Sequence, residues 1–152
     1  MKKIFISILL VALTSTTCFA EEIYSIKTLH KMEIIANSPI NKTDLENAKN
    51  IMTNVYQKTA EGVKNGKGPF YAEIYDENGN FVVSSSNSVV EDKCALYHAE
   101  VNTLRKAYEK YRQYDLSSKN FSIYVNAEPC IMCAGAIMWS GIKTIYFGVP
   151  SK

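Results

Sequence analysis

Glu128-Pro129-Cys130-Ile131-Met132-Cys133-Ala134-Gly135-Ala136-Ile137 is the stretch that decides how this 152-residue chain folds. Proline suits a first helical turn, where its missing N–H costs nothing and its fixed φ is already helical. Pro129 is therefore expected to open a helix running through about Trp139, with Gly141 ending it. Cys130 and Cys133 stand three apart at the start of that helix, so both can point to one side. The positive end of a helix favours their thiolates. A C-x-x-C pair by itself still has several meanings: a redox couple, half of a structural zinc site, or two core cysteines.

Outward from this stretch the pattern alternates between helix and strand. Phe121 to Asn126 is rich in β-branched and aromatic residues and reads as a strand, as does Lys143 to Phe147. His98 to Tyr111 puts Val101, Leu104, Ala107 and Tyr108 on one helical face. Phe70 to Tyr75 and Phe81 to Ser85 flank Asp76-Glu77-Asn78-Gly79-Asn80, whose Asn-Gly pair is a hairpin signal. Before them, Thr43 and Glu46 have capping-box spacing, and Leu45, Ala48, Met52, Val55, Thr59 and Val63 recur at steps of three and four toward Gly66. The order helix, hairpin, helix, strand, helix, strand predicts an α/β fold, a three-layer α/β/α sandwich around a mixed sheet.

Composition bounds the rest. At 47% apolar content the chain has material for one domain with a core. Residues 1–20 read as a secretory signal: Lys2 and Lys3, an apolar run from Ile4 to Leu13, then Cys18-Phe19-Ala20 before Glu21. That run is far below the roughly 20 residues that span a bilayer, so no stable membrane anchor is expected after cleavage, and the mature protein is expected to be periplasmic or secreted. Residues 21–42 form an extension in which Asn37-Ser38-Pro39 breaks any helix. The domain proper is read as 43–152.

The first 20 residues carry two lysines and no acid, so removing them leaves 15 basic against 15 acidic side chains. No dense Lys/Arg run supplies the surface that a polyanion needs, and no nucleic-acid partner is expected. Three cysteines remain, Cys94, Cys130 and Cys133, an odd number that argues against a disulfide framework.

His98-Ala99-Glu100 upstream changes the weight on the C-x-x-C. Together with Pro129-Cys130-Ile131-Met132-Cys133 it matches the H-x-E and P-C-x-x-C signature of zinc deaminases. A catalytic zinc takes three protein ligands and keeps a fourth position for water, and His98, Cys130 and Cys133 make three. Glu100 is then the general acid/base. The blander alternative for Glu100 is a carboxylate that merely favours a helix N-terminus. In mid-helix, residues two apart point about 200° from each other, so His98 and Glu100 can converge only at a first turn. Both helices must present their N-termini to one point.

From about Thr43 to Gly148 the chain resembles the cytidine/deoxycytidylate deaminase superfamily, in the branch holding guanine deaminases and tRNA adenosine deaminases. The residues that carry the resemblance are Gly68-Pro69-Phe70, Asn87, His98-Ala99-Glu100-Val101 and Glu128 to Ile137. It implies a cytidine deaminase-like fold, a Zn2+ cofactor, and hydrolytic attack at an amino-bearing ring carbon with Glu100 shuttling protons. Asn87 stands eleven residues before His98, where the branch has a substrate-contacting asparagine, and Phe70 matches an aromatic pocket wall. Ala99 and Trp139 are carried over as substrate contacts in the same way, and Trp139 resembles the guanine deaminase pattern. Asn87 as a plain turn residue and Trp139 as core packing are the alternatives.

The resemblance favours a small nucleobase or nucleoside, guanine to xanthine and ammonia first, and a homodimer. Cys94-Ala95-Leu96-Tyr97 and Tyr71 depart from the branch near the pocket. Relatives also continue with helical structure past the last strand, elements expected to be absent here, which raises a non-catalytic zinc-binding domain as the alternative.

Overall fold

The computed structural model describes residues 33–35 and 42–150. The signal read over residues 1–20 and most of the 21–42 extension lie outside the described residues. Five strands form one mixed sheet: β1 Glu33–Ile35, β2 Tyr71–Tyr75, β3 Phe81–Ser86, β4 Ser122–Ala127 and β5 Thr144–Val149. Their order across the sheet is β1-β5-β4-β2-β3. Only β4 and β5 run parallel, in register from Ser122 opposite Thr144 to Ala127 opposite Val149. Parallel neighbours need a crossover, and the helix Ile131–Ser140 between them provides it.

Among the described residues, three α-helices cover the two faces. Helix α1, Lys42–Lys64, packs on β2, β4 and β5, while α2, Ala99–Tyr111, and α3, Ile131–Ser140, share the other side. Alternation along the strands splits the core accordingly. Ala72, Ile74, Ile123 and Val125 meet Leu104, Ala107 and Ile137 under α2 and α3. Tyr75, Tyr124 and Tyr146 meet Ala48, Met52 and Val55 under α1. Tyr124 and Tyr146, opposite one another across the parallel pair, stack with ring centroids 4.4 Å apart. Val63, the last residue of the α1 apolar stripe, is exposed, because the stripe outruns the sheet.

Element ends follow from local chemistry. In the β2–β3 turn Asp76 Oδ1 accepts from the N–H groups of Asn78 and Asn80 at 2.9 and 2.8 Å, and Gly79 takes φ +78°. Gly141 ends α3 at φ +82°, where a Cβ would come within 2.7 Å of the Ser117 Cβ. Pro129 precedes the helix instead of sitting in its first turn, because Cys130 occupies the extended N-cap position.

Two features correct or add to the sequence-based picture. The extension, given no structural role above, supplies β1, which pairs antiparallel with β5. And α2 lies along the outer edge of β3, the last strand of the sheet. Asn102, Lys106 and Lys110, at successive steps of four, donate to Ser86 O, Ser84 O and Val82 O, at successive steps of two, at 3.1, 2.8 and 3.0 Å. Four helical residues rise about 6 Å and two strand residues about 6.7 Å, so the two ladders keep step.

Candidate metal centre

His98 and Cys130 hold equivalent positions. Each is the N-cap of its helix in extended conformation, φ −64° and ψ 157° for His98, φ −64° and ψ 166° for Cys130. N-caps usually use a side-chain oxygen to satisfy the first orphan N–H groups. Neither residue makes such a cap bond, so ring and thiol are left for another partner. Because His98 precedes the helix and Glu100 is its second residue, the 200° separation of a helix interior does not apply, and both can face one point.

The structure brings His98, Cys130 and Cys133 together, with ligand atoms all within 4.8 Å of one another. His98 Nδ1 is 3.7 Å from Cys130 Sγ and 3.5 Å from Cys133 Sγ. A tetrahedral ion with Zn–S of about 2.3 Å and Zn–N of about 2.0–2.1 Å separates its sulfur and nitrogen ligands by about 3.6 Å. The donor set and its spacing fit zinc.

Cys133 is buried in the first turn of α3, whereas Cys130 is exposed, and both thiols are free. Helix polarity alone does not prepare Cys133 as a thiolate. Burial pushes its thiol well up, and the neighbouring Glu100 carboxylate adds to this. A divalent cation reverses that balance, since coordination deprotonates a thiol outright. Glu100, 5% exposed and in hydrogen-bond contact with Cys133, is itself raised above the ordinary carboxylate range, chiefly by burial.

The remaining candidates divide. Asn87 N–H donates to Phe70 O at 3.0 Å, which joins the Gly68-Pro69-Phe70 segment to the loop leading to His98. Asn87 Oδ1 accepts from Val89 N–H at 3.0 Å, the turn geometry that was the alternative for this residue. Phe70 is 43% exposed. Ala99 exposes nothing and packs in the core under α2, so its methyl is committed to the protein interior. Trp139 is 76% exposed, which removes core packing as its explanation. It lies six residues beyond Cys133, about 9 Å further along the axis of α3.

Two buried polar residues had no sequence signal strong enough to single them out. Asn102, one turn into α2, is buried with its amide fully engaged. Glu73, 2% exposed beneath α1, accepts from Asn54 Nδ2 at 3.0 Å and Tyr75 OH at 2.8 Å.

Residues 45–149 match the family model described as the cytidine and deoxycytidylate deaminase zinc-binding region. The chain is 42% identical over 88 residues to a tRNA-specific adenosine deaminase of Rickettsia felis, covering 55% of this chain and 58% of that protein. It is 32% identical over 87 residues to the guanine deaminase of Bacillus subtilis, covering 57% and 54%. The crystal structure of that Bacillus protein superposes with a TM-score of 0.61 at 29% identity, over 73% of this chain and 66% of its own. The guanine deaminase of Nitrosomonas europaea gives 0.57 at 32% identity, over 60% and 52%. The chain spans little more than half the length of the curated relatives it matches.

Proposed function

Since the chain belongs to the cytidine and deoxycytidylate deaminase zinc-binding family, we propose that it hydrolyses the exocyclic C–N bond of a nucleobase or nucleoside, with guanine to xanthine plus ammonia as the first candidate. The observation that carries this is the buried Glu100 carboxylate in contact with Cys133, inside a ligand triad spaced for a tetrahedral ion. When bound, zinc supplies Lewis-acid activation of water. Glu100 would take one proton from the attacking water at a carboxylate oxygen and give it to the ring nitrogen, then take the remaining hydroxyl proton and pass it to the amine, which leaves as ammonia as the C–N bond breaks and the carbonyl forms. Its raised affinity for protons, caused by burial, suits a group that must both accept and donate.

Asn87 and Phe70 are the proposed substrate contacts. The turn with Val89 uses the Asn87 carbonyl oxygen and leaves its NH2 group to donate to a ring acceptor, and the half-exposed Phe70 ring offers a stacking face. Ala99, whose methyl is buried, and Trp139, which is exposed on α3, rest on the resemblance alone. A small substrate is favoured over RNA by the balanced charge after residue 20, and export, read from residues 1–20, belongs to the same proposal. A non-catalytic zinc domain is the second reading, favoured by the exposure of Cys130 and Ile131 on the flank of the site.

Ammonia release from guanine, adenine, cytosine and their nucleosides by the zinc-loaded protein separates the two. Release from one purine substrate is expected; silence on the whole panel with zinc bound would leave the non-catalytic reading.

A further inference from the structure

Along the α2–β3 edge the first member of the donor row differs from the two lysines. Asn102 is 7% exposed, and its amide nitrogen lies 3.1 Å from Ser86 O, 2.9 Å from Ser88 Oγ and 3.2 Å from Tyr97 O. Two hydrogens serve three acceptors, and those acceptors stand at both ends of the loop over residues 87–97. Tyr97 O also accepts from Ser88 N–H at 2.9 Å, so the same point closes the loop's neck. The Asn102 backbone N–H donates to His98 O at 2.9 Å. Arg105 reinforces the arrangement from outside, with its guanidinium 4.8 Å from the Tyr97 ring centroid.

We propose that Asn102 is a positioning residue for the metal site, one that holds the neck of the loop joining Asn87 to His98 and thereby fixes the approach of the His98 ring to the two cysteines. It touches neither metal nor substrate. An amide suits this point because two of the three partners, Ser86 O and Tyr97 O, are carbonyl oxygens that can only accept: aspartate would bring a carboxylate against them, serine falls short of at least two of the three, and leucine would withdraw the shared donor altogether. The consequence for catalysis rests on the deaminase proposal; the consequence for the loop and for metal binding does not.

Asn102→Asp and the smaller change Asn102→Ser are compared with Lys106→Ala, which removes the neighbouring donor in the same row but reaches only Ser84 O. Two readouts need no substrate: backbone hydrogen exchange over residues 86–98, and Co2+ binding to the metal-free protein followed by thiolate-to-metal absorption. Both Asn102 variants are expected to speed exchange at Ser88 and His98 by about tenfold or more and to weaken Co2+ binding by roughly tenfold or more, with circular dichroism unchanged. Lys106→Ala is expected to leave both within twofold. Should Asn102→Asp fail to fold, Asn102→Ser alone carries the comparison.

Exchange and Co2+ affinity that stay within twofold in Asn102→Ser, or that move equally in Lys106→Ala, would overturn the positioning role. A wild-type protein that releases no ammonia while these readouts move as stated sinks the deaminase proposal and leaves the loop assignment standing; an active protein whose readouts do not move does the reverse.

Discussion

Replacing Glu100 by glutamine separates metal binding from proton transfer, because the two side chains are nearly isosteric and only one can carry a proton. Glu100 is 5% exposed, so the amide inherits a packed site and zinc is expected to stay at one equivalent. General acid/base groups contribute about 10²- to 10⁴-fold, which at 1.36 kcal/mol per tenfold is roughly 3–5.5 kcal/mol of transition-state stabilisation. Turnover should fall by that factor with little change in KM. The metal-free protein should respond in the opposite direction. Burial raises the Glu100 carboxyl, so its contribution to stability is fully present below the ordinary carboxylate pKa and is lost as pH rises through the raised value. At neutral pH metal-free Glu100→Gln should therefore melt at or above the wild-type temperature. Ammonia release by stopped assay, zinc by atomic absorption and thermal melts after chelation read the three effects. A variant that keeps more than about a tenth of wild-type kcat would show that Glu100 is not the proton shuttle.

Cys130→Ser and Cys133→Ser should both abolish zinc binding, but only the second, at a fully buried position, should also lower the melting temperature of the metal-free protein; calorimetry on chelated samples checks this. Metal affinity should rise with pH between about 6 and 8, by up to tenfold per unit for each thiol proton displaced. The raised Cys133 thiol is protonated throughout that range, so competition titrations that show a flat profile would argue against its coordination. Lys106→Ala with Lys110→Ala strips two donors from the β3 edge and should promote concentration-dependent association, seen by light scattering, at a stability loss of about 1 kcal/mol or less.

Much of the fold was legible because its signals are periodic. The α1 stripe from Leu45 to Val55, the Asn78-Gly79 turn and the paired apolar runs around it depend on local chemistry, and the structure follows them within a residue or two. Strand β1 was not legible: three residues carry no alternation, and Glu33–Ile35 is a strand only because β5 lies beside it. The start of α3 was placed two residues too early, at Pro129 instead of Ile131, since nothing local reveals that Cys130 takes the cap position. At the site, the ligand triad was readable because zinc chemistry restricts residue types and spacing together. Asn102 was not, since an asparagine on a helix looks solvent-facing until the loop that returns to meet it is seen. Trp139 shows the converse, a residue whose 76% exposure rules out the core packing that was the plain alternative for it.

Zinc and free thiols counted on the same purified sample test the metal centre most directly. One equivalent of zinc per chain is expected, with Cys130 and Cys133 shielded from thiol reagent until a chelator removes the metal and both then react. A chain without zinc, in which Cys130 and Cys133 are joined as a disulfide, would contradict the assignment.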